Sequence, residues 1–556
     1  MRMKKFLDKV KQKRMVIDII CILIVVIFLS IPMMRKNTDI YLDDGSQHLM
    51  RAYGTYQSMK QNGTGMIISD FANKFGYSWN LFYGPLSTYA IILVSWIFGT
   101  FNLGFKLVMC LIIFLSGLFM YKFILQMLED NDVALLSSVC YMISPYFFTD
   151  IYVRHAIGEC LSFVFMPMVF LGLYNLFNTE KNHYYLIFGA SGLILSHNIS
   201  TVLVAIFSII YCLINVKNIF ATRVKKGLII DIVFILLITS FYWMPFLESK
   251  FFTNYQVYES NAMASEESFI NHRLSLKDLF ITGNDTIFIF EIGLPIILML
   301  VFSIMAIKRI EENKKEYLFF LISGCLSIWM TTKYFPWKLL PNSFYIIQFP
   351  WRILILSTFC FAIVCSMNMF IVIKNFNIKD VLIISVICMI YIASRFYVIQ
   401  YSDEIAKVEN YDVPQVTGQN NEWLPGMGRL EYLPTKAYNN SFYIATRSSG
   451  IEVLKGSCSI DMKVKIGSYL SAKISTGTEK ATLELPYIYY PGYTVRLDGI
   501  IQKTVETENG FLGCVIDENE SGNIEVEYTG TMIMSISKMI SVISFIIYLI
   551  YVWKKH

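Results

Sequence analysis

Apolar runs of about 20 residues recur along this 556-residue chain, separated by short polar loops. A run of that length crosses a ~30 Å hydrocarbon core as a helix rising 1.5 Å per residue. Backbone in lipid has to satisfy its own hydrogen bonds, so helices are what such runs form. Hydrophobic residues make up 55% of the chain and charged residues 16%, whereas soluble domains carry about a quarter charged. The pattern specifies a polytopic α-helical membrane protein.

Charge orients it. The N-terminus carries Arg2, Lys4, Lys5, Lys9, Lys11, Lys13 and Arg14 ahead of the apolar run Val16 to Met34. No small-residue cleavage site follows that run, so it reads as a retained helix. Basic loops recur at 217–226, 308–315, 374–379 and 554–555. Placing all of them and the N-terminus in the cytoplasm satisfies the positive-inside rule. Both termini are then cytoplasmic, and about 12 transmembrane helices are expected from the runs. The net charge of +5 sits in these loops and needs no nucleic acid to explain it. Residues 35–84, 149–159, 248–286, 332–351 and 400–530 fall outside. Segment 86–100 is short for a span and is read as interfacial or re-entrant, which keeps Arg154 and Glu159 outside. The run from Tyr184 to Ile214 is too long for one helix, and His197-Asn198 is read as its turn.

Three domains are expected: a transmembrane domain over 1–399, an extracytoplasmic β-sandwich-like domain over 400–530 and a transmembrane anchor over 531–556. The all-β reading of 400–530 rests on period-2 alternation: Ile460, Met462, Val464 and Ile466, then Tyr493, Val495 and Leu497, then Ile524, Val526 and Tyr528. Asp498-Gly499 is a hairpin dipeptide. Of 11 cysteines, nine lie in apolar runs as small hydrophobes. Cys458 and Cys514, in the polar region, are the two that could pair.

The charged residues that remain are concentrated. "DDGSQHLMR" places Asp43, Asp44, His48 and Arg51 just past the first helix, with Asp44, His48 and Arg51 at i, i+4 and i+7 on one helical face. Asp44 with Gln47 also resembles a capping box. "YVRHAIGE" adds Arg154, His155 and Glu159, "LSHNIS" adds His197, and "QFPWR" adds Gln348 and Arg352, with Lys333 and Lys338 upstream. Ionisable groups among apolar helices are expensive unless paired or facing a polar cavity. Together they suggest a cationic cavity under the outer rim, suited to an anion. Interfacial anchoring is the plainer reading for each cluster taken singly.

"DDGSQHLMR", "FGYSWNLFYGPLSTY", "YVRHAIGE", "SHN" and "QFPWR" occur in an order that resembles bacterial membrane proteins labelled 6-pyruvoyl-tetrahydropterin synthase-related, which look like C-type (GT-C) glycosyltransferases. "YYPGYTVRLDG" with "VEYTG" is similar to the tail of YfhO-like membrane proteins. No pterin-synthase metal pattern is present, so the pterin label is not carried over.

The resemblance implies transfer of a sugar from a polyprenyl-phosphate-linked donor to a cell-wall or surface glycopolymer. It implies an enzyme of the bacterial plasma membrane acting on the outer face. It places the catalytic base at Asp44, selected over the near alternative Asp43 by the family's Asp-x-x-x-His spacing, with inversion at the anomeric carbon. Asp43, His48, Arg51, Arg154, Glu159, His197, Lys333, Gln348 and Arg352 are the substrate-binding candidates. No metal ligand spacing stands out; a divalent cation remains open as an aid to the phosphate. A flippase for lipid-linked saccharides and a non-catalytic envelope assembly protein are the alternatives, and neither gives Asp44 a special role.

Overall fold

The computed structural model describes residues 2–34, 44–179, 183–259, 265–280, 300, 302–304, 306–311, 313–372 and 427–555. Two units emerge. The first comprises Met1–Gly45, Leu103–Ile235 and Ala264–Asn410, the second Ser46–Asn102, Leu236–Met263 and Tyr411–His556.

Among the described residues, five helices are long and apolar enough to cross a membrane, or up to seven if each of two bent pairs is one span. The apolar stretches within 281–299 and 373–399 lie outside the described residues. Lys13–Met34, Phe101–Leu128, Ile157–Asn178 and Pro350–Ile371 are long spans, and Asn131–Met142 with Pro145–Arg154 forms a pair bent by 50°. The run after Tyr184 breaks where its length demanded. Helices cover Tyr184–Ile194 and Asn198–Ile214, and His197 caps the second by accepting the Ser200 N–H. Gly172 and Gly189 let the Ile157–Asn178 and Tyr184–Ile194 helices touch. A Cβ on Gly172 would lie 2.1 Å from the Leu186 nitrogen, and one on Gly189 2.7 Å from that of Val169. Small residues at such contacts are how helices approach without a hydrophobic drive. Buried Asp18 is satisfied by Arg14 (2.9 Å), the Tyr121 hydroxyl (2.8 Å) and Asn131 (2.9 Å), which ties three helices together.

Among the described residues of the second unit, nine strands form two antiparallel sheets, ordered β1-β4-β8-β7 and β2-β3-β9-β5-β6. The strands are β1 (Glu452–Lys455), β2 (Cys458–Ile466), β3 (Tyr469–Thr476), β4 (Ala481–Ile488), β5 (Tyr493–Leu497), β6 (Ile500–Gln502), β7 (Thr504–Glu506), β8 (Phe511–Ile516) and β9 (Ser521–Tyr528). Leu470, Ala472 and Ile474 of one sheet and Leu483, Leu485 and Phe511 of the other share one core. The predicted hairpin forms: Leu497 pairs with Ile500, and Asp498 and Gly499 take positive φ of 46° and 84°, the type I′ signature. Cys458 and Cys514 lie in different sheets and are free thiols.

The alternation read in β2 does not survive intact. A bulge between Met462 and Val464 shifts the register. Val464 and Ile466 consequently turn outward, 39% and 56% exposed. Lys465 turns toward the rings of Phe75 and Tyr487, its amine 5.3 and 5.6 Å from their centroids. One extra residue reverses every later side chain in a period-2 strand.

The same core takes in the loop after the Gly45–Asn62 helix. Phe75 packs edge-on to Phe511 at 5.2 Å, its carbonyl accepts the Ile488 N–H, and Phe82 stacks on Tyr432 at 5.0 Å. Helix Met532–Lys555 follows β9 and is tied to Ser240–Phe252 by Ser240 Oγ donating to the Ser537 carbonyl (3.0 Å).

Candidate functional site

Thr149–Arg154 forms one π-helical turn, and His155 closes it in a left-handed conformation, φ 51°. Such turns and non-glycine left-handed residues recur at functional sites, where surrounding packing holds the strain. Here the turn aims Arg154 inward. Its guanidinium, 2% exposed, bonds Asp150 Oδ1 and Glu159 Oε2 (2.9 Å) through Nη1 and Asp44 Oδ2 (3.2 Å) through Nη2. Trp351 lies 4.8 Å from it across a ring face. Asp150 and Arg154 are i and i+4 on the turn. Asp44 is brought in by a backbone bond from its N–H to the Arg154 carbonyl (3.1 Å), just ahead of the Gly45–Asn62 helix.

Glu159, 1% exposed, extends the cluster. Its Oε2 also accepts from Arg352 Nε (3.0 Å), and its Oε1 from the Tyr146 hydroxyl (2.6 Å). Arg352 Nη1 donates to Gln348 Oε1 (2.7 Å) and the Ile347 carbonyl (3.1 Å). Gln348 itself has φ 66°. His197 is buried, caps its helix, and is close enough to Glu159 and Arg352 to act on them electrostatically.

Two guanidinium groups therefore meet three carboxylates. The sequence suggested a cationic cavity; the described groups are instead interlocked ion pairs with a surplus carboxylate. Asp150 and Glu159 are sealed off, whereas the Asp44 side chain is 40% exposed. Asp44 is thus the carboxylate of this set open to a partner. Asp150 and Tyr146 were not singled out in the sequence. The i, i+4 spacing of Asp150 and Arg154 was the available signal.

Of the other candidates, Asp43 lies outside the described residues. Lys333 is exposed and makes none of the contacts above among the described residues. His48 and Arg51 belong to the second unit. There Arg51, 4% exposed, sits over the Trp79 ring with its Cζ 3.3 Å from the centroid, and Trp79 stacks on Tyr83 at 4.4 Å. The His48 ring is 5.6 Å from that of Tyr83. Glu431 Oε1 stands 3.7 Å from Arg51 Nη2. Burial raises the Glu431 carboxyl above its ordinary pKa, against the pull of Arg51. Among the described residues no group of three or more His, Cys, Asp or Glu is set to hold a metal ion.

Residues 81–402 match the family described as "6-pyruvoyl-tetrahydropterin synthase related domain; membrane protein". An uncharacterized protein of Lactococcus lactis subsp. cremoris (strain MG1363) is 25% identical over 596 residues, covering 96% of this chain and 94% of that protein. Among solved structures, the chain is similar to the arabinofuranosyltransferase AftD from Mycobacteria, with a TM-score of 0.45 and 13% identity over 68% of this chain and 27% of AftD. It is also similar to ArnT from Cupriavidus metallidurans bound to undecaprenyl phosphate, with a TM-score of 0.45 and 11% identity over 78% of this chain and 69% of ArnT. On the match over residues 81–402, which is more than half its length, the chain belongs to the 6-pyruvoyl-tetrahydropterin synthase-related family of membrane proteins.

Proposed function

We propose that this chain is a membrane glycosyltransferase that moves a sugar from a polyprenyl-phosphate carrier to an envelope glycopolymer on the outer face of the bacterial plasma membrane. The observation that carries this reading is Asp44, a part-exposed carboxylate gripped by the otherwise sealed Arg154. Asp44 takes the proton from an acceptor hydroxyl. The hydroxyl oxygen bonds to the anomeric carbon as the bond from that carbon to the carrier phosphate breaks, and the configuration inverts. The phosphate leaves with the electron pair and needs no strong acid. A general base of this kind contributes about 10²–10⁴-fold.

Arg154 Nη1 and Nη2 and Arg352 Nε and Nη1 are engaged by Asp44, Asp150, Glu159, Gln348 and the Ile347 carbonyl, so we assign the two arginines to positioning. Arg352 orients Glu159, Glu159 orients Arg154, and Arg154 sets Asp44. The ion pairs also keep Asp44 from drifting, because moving it would leave a buried guanidinium short of a partner.

The test is the sugar composition of the envelope in a deletion strain carrying wild-type or Asp44→Asn protein at equal expression. Loss of the added sugar in both the deletion and the Asp44→Asn strain is expected. Full restoration by Asp44→Asn would refute the general-base role.

A further inference from the structure

Arg51 carries an unmet demand. Its Nε and Nη2 are buried and have no hydrogen-bond partner among the described residues. These two nitrogens form the side-on edge that grips a carboxylate or phosphate with two parallel bonds. That group is backed by the Trp79 ring, whose centroid is 3.3 Å from the Arg51 Cζ, and by the Tyr83 ring stacked on Trp79. Trp79 Nε1 is a third buried donor without a partner among the described residues. The nearest acid, Glu431, stops at 3.7 Å, beyond hydrogen-bond range, because its other oxygen is taken by the Arg429 N–H at 3.0 Å. Gly428 closes the group in a left-handed conformation, φ 62°. A Cβ there would come within 3.0 Å of Gln47 Oε1 and 3.1 Å of Arg51 Nη2.

The geometry points to an oxyanion site at the Nε/Nη2 edge of Arg51, in which a carboxylate or phosphate ester borne by a saccharide takes the place that Glu431 occupies incompletely. Glu431 is then a resident stand-in, too tethered to pair fully and close enough to be displaced by a better-placed oxyanion. That the saccharide is the acceptor rests on the transferase reading. That the site takes an oxyanion does not.

The test is binding to the purified full-length protein in detergent, read by thermal unfolding and tryptophan fluorescence at constant ionic strength. The probes are methyl phosphate and glucuronate, with glucose as the neutral control. Saturable binding of at least one anion is expected. It should tighten about tenfold in Glu431→Gln, a gain of roughly 1.4 kcal/mol, and vanish in Arg51→Gln. Arg51→Lys, which keeps the charge without the fork, should weaken it about tenfold or more and serves if Arg51→Gln does not fold. Preference for methyl phosphate assigns a phosphate-bearing saccharide, and preference for glucuronate a uronic acid. Anion binding unchanged in both Arg51 variants, or no saturable binding even in Glu431→Gln, would overturn the site. Because no transfer is measured, such a failure is distinct from failure of the transferase reading.

Discussion

Asp44 and Arg154 are joined twice, by a backbone bond from the Asp44 N–H to the Arg154 carbonyl (3.1 Å) and by a side-chain bond from Arg154 Nη2 to Asp44 Oδ2 (3.2 Å). The double tie fixes where the carboxylate stands. Asp44→Glu should therefore fail to substitute. The added methylene shifts the carboxylate by about 1 Å, and displacement on that scale costs about 10²-fold in rate. A transfer assay on membranes with matched expression checks this. Wild-type activity in Asp44→Glu would mean that the position is not set this tightly.

Arg352→Lys should reveal a positioning role. One ammonium cannot serve Glu159, Gln348 and the Ile347 carbonyl as Arg352 does. We expect kcat to fall roughly 10- to 100-fold, the equivalent of one charged hydrogen bond of about 1.5–3 kcal/mol, with KM nearly unchanged. A raised KM with intact kcat would instead place Arg352 on the substrate.

In the β domain, Glu484 is the keystone of a buried network. Its Oε1 accepts from Arg447 Nε (3.0 Å) and Tyr443 (2.8 Å), and its Oε2 from Thr507 (2.6 Å) and Asn509 (3.1 Å). Glu484→Gln removes the buried charge that Arg447 Nε pairs with and turns an NH₂ toward groups that donated to the carboxylate. It should cost about 3–5 kcal/mol. Limited proteolysis of the full-length protein measures this. The control Lys463→Gln, which breaks an exposed pair with Asp461, should change stability by less than about 1 kcal/mol.

Lys465 gives a pH signature. Burial, then Arg447, then Lys74 lower its pKa from 10.5 to about 8. Between pH 8 and 10.5 the unfolded chain holds a proton that the folded chain has released, so stability rises with pH across that window and is flat below it. Lys465→Met should remove the rise and stabilise the domain at pH 7. A slope unchanged in Lys465→Met would show that another group titrates there.

Topology is open to direct labelling. Lys503 and Lys225 are both exposed. An impermeant thiol reagent should reach a cysteine at 503 in intact cells and miss one at 225. The reverse pattern would move the proposed chemistry to the cytoplasmic side.

Features set by short-range chemistry were readable in the sequence. The His197 break, the Asp498-Gly499 hairpin and the helix opening after Asp44 each depend on a few adjacent residues. The interlocking of Arg154 with Asp44 and of Glu159 with Arg352 spans 110 and 193 residues, and no local periodicity encodes such a pairing. The segments that carry those charges were legible, but the pairing of Arg154 with three acids and of Arg352 with Glu159 was not. "FGYSWNLFYGPLSTY" stood out as a motif, yet its burial in the β core depends on Phe75 and Phe82 meeting Phe511 and Tyr432. Ala72, Asn73 and Lys74, three successive left-handed residues at φ 53°, 53° and 66°, have no sequence cue, since only glycine adopts such a run cheaply.

The bulge in β2 has a further consequence for how these molecules coexist. β2 is an edge strand, and an edge exposes a row of unpaired amides and carbonyls on which a neighbouring chain can continue the sheet. Confinement to a membrane raises the encounter rate of such edges. The register break at Lys463 interrupts the row, and the exposed Lys463–Asp461 pair flanks it. A second copy pairing along Cys458 to Met462 would lose register before reaching Ile466. The irregularity that turns Lys465 inward is thus also the kind of break that disfavours edge-to-edge pairing between copies of the domain.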